Sequence, residues 1–271
     1  MPVAAIKSAP SSLAHCAVEA LLDELHLTPK PALVDQRGSG AHPAYSLLPC
    51  FQAISDTTRQ IGAVNQALRE ALGQIGREGE AQMLDATGGI NTHRGAIWNL
   101  GLLLAAVELD HRSVQTITGI AAKIARIPDR YVPLSSSHGT IACQRYHTGG
   151  ARAQAMQGFP HVHAALTELH HKRAQGICES QARLDALLRI MTTLDDTCIL
   201  HRAGLPGLQA MQRGAAAVLN AGGSSILTGR RELKQLEQRL LHLNASPGGA
   251  ADLLAATLFV ESVVLFPLEL T

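Results

Sequence analysis

The chain has 271 residues, with 23 Lys and Arg against 22 Asp and Glu for a net charge of +1. That balance argues against a general nucleic-acid or membrane-surface binder, which carries a clustered basic excess. Hydrophobic residues make up 46% but aromatics only 3%, so the core must be Ala, Leu, Ile and Val, and a helical protein is expected before any pattern is read.

The opening MPVAAIKSAPSSLAHC lacks the basic start and apolar run of a secretory signal, and residues 1–10 are expected to be flexible. Leu13, Ala17, Ala20, Leu21 and Leu25 then share one helical face, up to a stop at Pro29. In the loop 28–43, TPKPALVDQRGSGAHP, Pro29 and Pro31 hold the backbone extended and present Lys30 and Asp35. His42 lies in the Gly-rich turn beyond. Lys30 reads as a phosphate ligand or, more commonly for such residues, as a solvated loop lysine.

ATGGINTHRG (86–95) places Gly88 and Gly89 before a polar cluster and then an apolar helix carrying Ile97, Leu100, Leu103 and Leu104. Asn91 or Thr92 is a natural N-cap. A glycine pair before a helix N-terminus suits an anion, because the backbone can approach it and the dipole favours it. His93 and Arg94 would add donors. An ordinary capped helix start is the plainer alternative. Gly95 and Gly101 inside the helix imply that a neighbouring helix or a ligand comes close.

The stretch 135–160 reads as a loop. Leu184, Leu187, Leu188, Met191 and Leu194 form the next helical face. DDTCILHRAG (195–204) follows it, so Asp195 and Asp196 would lie at a helix C-terminus, where the dipole disfavours acids. With His201 and Arg202 they could bind Mg²⁺ and phosphate; a solvated helix end is the alternative. Leu233, Leu236, Leu240 and Leu243 form a helix after Gly229. In NASPGG (244–249), Ser246 suits an N-cap, Pro247 the first helical position, and Gly248 and Gly249 leave the first turn uncovered. Asp252 then projects from an otherwise apolar helix, where a buried carboxylate needs a cation, a metal or a donor; an N-terminal acid favoured by the helix dipole is the alternative. The most apolar stretch, 253–268, is interrupted by Glu261 and reads as a buried helix rather than a membrane span.

The five cysteines form no CxxC and read as reduced, buried thiols of a cytoplasmic protein. His161 and His163, and His170 and His171, lack metal-ligand spacing and read as surface residues. The expected architecture is all-α, a single compact domain over 1–271 with about ten helices and no sheet.

Six segments carry a resemblance: LTPKPALVD, GSGAH, REGEAQMLDATGGINTHRGAIWNLGLLLAA, QGFP, LDDTCILHR and SPGGAADLLAATLF, in that order over 14–259. Together they resemble the triphosphoribosyl-dephospho-CoA synthase family, its malonate decarboxylase branch more than its citrate lyase branch. The resemblance implies an all-helical transferase acting on ATP and 3′-dephospho-CoA. Adenine leaves C1′ of the ATP ribose, the 2′-hydroxyl of dephospho-CoA replaces it, and the α linkage of the product implies one inverting displacement. Mg²⁺ and basic residues would orient the uncleaved triphosphate. A second transferase would then load the group onto the acyl-carrier subunit.

Mapped onto the matching loops, Asp35, His42, His93 and Asp196 are the candidate catalytic residues. Lys30, Gly88, Gly89, Asn91, Thr92, Arg94, Arg152, His201, Arg202, Ser246, Gly248 and Gly249 are the candidate nucleotide ligands. Glu80, Asp196 and Asp252 are the candidate metal ligands. Departures from the family pattern are Ala44, where an acid is expected after the GAH turn, Gln154 in place of a glutamate, and Ala32 and Ala203 in place of glycines. They motivate an alternative: a catalytically weakened nucleotide-binding or partner-docking paralogue.

Overall fold

The structure, a computed structural model, describes residues 12–34, 43–133 and 137–265. These residues form twelve α-helices and one short 3-10 turn, with no strand among them. The helices are α1 (Leu13–His26), α2 (Leu48–Ile61), α3 (Gln66–Ala86), α4 (Arg94–Leu109), α5 (Val114–Arg126) and α6 (His138–Tyr146). After them come α7 (Gly150–Met156), α8 (Pro160–Ala174), α9 (Glu179–Met191), α10 (Thr197–Asn220), α11 (Leu227–His242) and α12 (Gly248–Leu265). The fold is all-α, as expected. The count exceeds ten partly because 135–160, read as a loop, contains α6 and α7. Each of these short helices buries a single alanine, Ala142 or Ala155, so neither carries an apolar stripe that spacing could reveal.

Other boundaries follow local chemistry. Ser12 caps α1 by accepting from His15 N, and the helix ends at His26, before Pro29. The predicted α11 starts two residues early, placing Gly229 inside its first turn. The segment 195–204 is mostly helix: α10 begins at Thr197 and is broken at Gly204 (φ 62°, ψ −160°), beside Pro206.

Helices α4 and α12 form the centre. Helix α12 packs on α1, α4, α8 and α9. Its length and composition would suffice to cross a membrane, but it is mostly buried among the other helices. Glu261 interrupts its apolar sequence and is itself buried. Arg173 donates to it at 2.6 and 3.0 Å, and His170 Nε2 lies 2.7 Å away. Those contacts offset the cost of desolvating the carboxylate.

Both helix-interior glycines of α4 do mark close approaches. A Cβ on Gly101 would lie 3.0 Å from Ile54 Cδ1 of α2, and one on Gly95 would lie 2.1 Å from Asp252 Oδ2 of α12. All five cysteines are unpaired, but only Cys16 and Cys50 are buried; Cys143 is half-buried, and Cys178 and Cys198 are exposed. The expectation of five buried thiols therefore holds for two. Both lie on apolar helix faces, whereas Cys178 and Cys198 sit at helix starts.

Candidate functional site

Two helix N-termini meet on one carboxylate. Because α9 ends at Met191, Asp196 lies past that helix and caps the next. Its Oδ1 accepts from Cys198 N at 2.9 Å and Ile199 N at 3.2 Å. Its Oδ2 accepts from Ala250 N of α12 at 2.9 Å. The dipole argument therefore reverses: Asp196 occupies the end of a helix that favours an acid. Burial nevertheless pushes its carboxyl up to about 6, against the pull of these N–H bonds. Gly249 permits the contact, since a Cβ there would lie 3.0 Å from Asp196 Oδ2. The first turn of α12, expected to be uncovered, thus faces Asp196. Helix α12 begins at Gly248, one residue beyond the expected start, and Ser246 is half-buried.

One turn further along α12, the Asp252 carboxylate lies against Gly95 and accepts from Ala96 N in the first turn of α4. Burial, then Glu24, then Asp196 hold its carboxyl well above the ordinary carboxylate range. Glu24 belongs to α1, and Lys30 Nζ donates to its Oε1 at 2.5 Å and to its carbonyl at 2.7 Å. Lys30 is 1% exposed. It serves as an internal counter-ion beside the acids, not as a solvated loop lysine.

The loop before α4 has Gly88 and Gly89 at φ 62° and 89°, with open space where their side chains would be. His93 occupies the N-cap position, while Asn91 Oδ1 accepts from Arg94 N at 3.2 Å. The capping residue is thus His93 by position and Asn91 by side chain. His93 is buried; its N–H donates to Met83 Sδ at 3.0 Å, and its Nδ1 lies 2.7 Å from Thr92 Oγ1. Arg94 turns to the other flank of the same turn and pairs with Glu80.

There it enters a cleft of about 390 Å³ between α3 and α4, closed by residues 129–133 and the start of α6. Arg69, Arg77, Arg94, Trp98 and Asp129 line it over an apolar floor that includes Leu72, Ile97 and Leu102. Arg77 Nη1 lies 2.8 Å and Arg69 Nη1 3.6 Å from Asp129 Oδ2, and Arg69 stacks over Trp98 at 5.2 Å. Sequence reading missed Arg69, Arg77, Trp98 and Asp129. A usable signal existed: Arg69, Gly73, Gly76, Arg77 and Glu80 fall on one face of α3, and a helix face spending two glycines is there for a reason.

The remaining candidates are distributed as follows. Arg152 is exposed, and its charge acts on Arg69. The exposed His201 stacks on His138 with centroids 4.0 Å apart, and Arg202 beside it is exposed. Asp35 and His42 lie outside the described residues. Ala44 is buried in the core. Gln154 Oε1 is 2.9 Å from His161 Nδ1, and burial lowers the pKa of that imidazole. His161 is therefore half-buried and bonded, not the surface residue expected. Ala32 adopts φ 55°, a left-handed conformation that suits the expected glycine better. Among the described residues, no group of three or more His, Cys, Asp or Glu is placed to hold a metal, and Glu80, Asp196 and Asp252 are engaged separately.

Residues 10–266 match the ATP:dephospho-CoA triphosphoribosyl transferase family, CitG. A protein of Pseudomonas syringae pv. syringae named probable 2-(5''-triphosphoribosyl)-3'-dephosphocoenzyme-A synthase is 58% identical over 264 residues, 93% of this chain and 91% of that one. One of the same name from Stutzerimonas stutzeri is 55% identical over 267 residues, 94% and 92% of the two chains. A crystal structure from Archaeoglobus fulgidus, provisionally named for the same synthase, shares the fold with a TM-score of 0.54 at 16% identity, over 82% of this chain and 97% of that one. An all-helical protein with carboxylates and arginines gathered around the start of α4 is thus an enzyme, a transferase. The chain belongs to the ATP:dephospho-CoA triphosphoribosyl transferase family.

Proposed function

We propose that this transferase joins the triphosphoribosyl part of ATP to the ribose 2′-hydroxyl of 3′-dephospho-CoA, in the cytoplasm, for the prosthetic group of malonate decarboxylase. The C1′–N9 bond of ATP breaks, a bond from C1′ to the acceptor oxygen forms, and adenine departs with a proton. The observation that carries this reading is Asp252, a carboxylate with a raised pKa set against Gly95 and Ala96 in the first turn of α4, the turn whose other flank carries Arg94. A carboxylate whose pKa is raised is a stronger base than an ordinary one. Asp252 takes the proton of the attacking hydroxyl, and the Gly88–Gly89 loop with Arg94 holds phosphate oxygens. Mg²⁺ would supply counter-charge to the triphosphate, held chiefly by its phosphate oxygens and water as is usual for this ion. The partner is the transferase that loads the product onto the acyl-carrier subunit.

Ala44 is buried in the core and Gln154 is bonded to His161, while the proposed base and phosphate ligands are all present in this chain, which favours an active enzyme over the weakened paralogue. Mass spectrometry of the CoA product tests the chemistry: dephospho-CoA should gain one triphosphoribosyl unit. A product of unchanged mass would remove the reading.

Arg94→Ala is expected to weaken ATP binding by about 1.5–3 kcal/mol, the worth of a hydrogen bond to a charged group. Isothermal calorimetry measures this, and an unchanged affinity would return Arg94 to being only the partner of Glu80.

A further inference from the structure

We infer that the α3–α4 cleft is a polyphosphate seat built around Arg69, with Trp98 and the apolar floor taking an adenosine base beside it. Arg69 is 5% exposed, yet its Nε has no hydrogen-bond partner. A buried guanidinium donor left open is costly, and it lines the cleft. Its immediate surroundings do not neutralise it. Arg69, Arg77 and Arg94 face only Asp129 and Glu80 inside the cleft, and the Arg152 charge also reaches Arg69. Inside the cleft one positive charge is in excess, and outside it the Arg152 charge is set against that of Glu70. Burial, Arg152 and Arg77 disfavour the Arg69 cation, and Asp129, then Glu70, oppose them.

An anion with several oxygens supplies the missing negative charge, because planar guanidinium forks bind phosphate oxygens in pairs. The apolar floor and the Trp98 ring suit a base rather than inorganic phosphate alone, and the volume is that of a small-molecule site. Glycine provides the room. Gly76 faces the cleft, and a Cβ there makes only an ordinary contact, 3.9 Å from Ile97 Cγ2. A longer side chain would have to occupy the cleft itself. Two ligands share the required chemistry, the triphosphate of ATP and the diphosphate of dephospho-CoA. The inference rests on the proposed function for that choice.

The test is calorimetric titration of the full chain with ATP, with 3′-dephospho-CoA and with inorganic tripolyphosphate, comparing wild type, Arg69→Gln and Gly76→Leu. Gly76→Leu fills the cleft without removing a charge, and it replaces glycine by a better helix former, so folding is not the obstacle. Both variants should lose about 10–100-fold in affinity for tripolyphosphate and for one nucleotide, the scale of a lost charge-assisted contact. The nucleotide affected in both is the occupant. Gly76→Leu binding all three ligands as wild type does would overturn the inference while leaving the proposed function intact. Wild type binding tripolyphosphate but neither nucleotide would sink the proposed function and leave an anion seat. Wild type binding none of the three would overturn both.

Discussion

Asp252→Asn is expected to slow adenine release by about 10²–10⁴-fold, the contribution of a positioned general base. The amide matches the carboxylate in shape and keeps an oxygen for Ala96 N, so the junction of α4 and α12 is retained. The pH dependence gives a second readout. Burial and the charges of Glu24 and Asp196 keep Asp252 protonated beyond the ordinary carboxylate range. A base works only when deprotonated, so the wild-type rate should climb with pH through that displaced ionisation. The Asn variant should lack this limb. Initial rates of adenine formation across pH measure both effects, and an Asn variant with the wild-type rate and profile would strip Asp252 of its role.

Asp196→Ala is expected to destabilise the fold by about 3 kcal/mol or more. The substitution removes the acceptor for Cys198 N, Ile199 N and Ala250 N together, and each buried donor left unmade costs about 1–3 kcal/mol. Urea unfolding of the variant against wild type measures the loss, and an unchanged midpoint would contradict the capping role. Asp196→Asn keeps an acceptor oxygen and should lose less. Its pH dependence carries a definite sign. The folded pKa is raised from 3.8 to about 6, so the folded state holds this proton more tightly than the unfolded chain. The stabilisation this supplies is full below about 3.8 and is lost as pH rises through about 6. Relative to Asp196→Asn, wild type should therefore lose stability across that interval.

Local signals carried much of this site. The Gly88–Gly89 turn, the Asn91 oxygen and the glycines of α4 describe the start of that helix in one stretch of sequence, and Asp252 stands out because every near neighbour is apolar. Pro29 likewise marks the stop of α1. What spacing could not convey is pairing over distance. Arg69 meets Asp129 across 60 positions, and Asp196 meets Ala250 across 54. No local periodicity reports such contacts. The burial of Lys30 is hidden for the same reason, since Glu24 lies on the preceding helix and only the folded loop turns the lysine back to it. The acid pair of 195–196 was placed at the wrong end of a helix because the apolar stripe runs through Leu194, three residues beyond the last helical residue, Met191.

Adenine release from ATP, followed with and without 3′-dephospho-CoA, addresses the central claim most directly. An inverting displacement needs its acceptor in place, so adenine should appear with dephospho-CoA in a one-to-one ratio to the acceptor consumed, and nearly vanish without it. ATP bound with no adenine released in either mixture would contradict the account, leaving a nucleotide-binding paralogue that has kept the fold and lost the reaction.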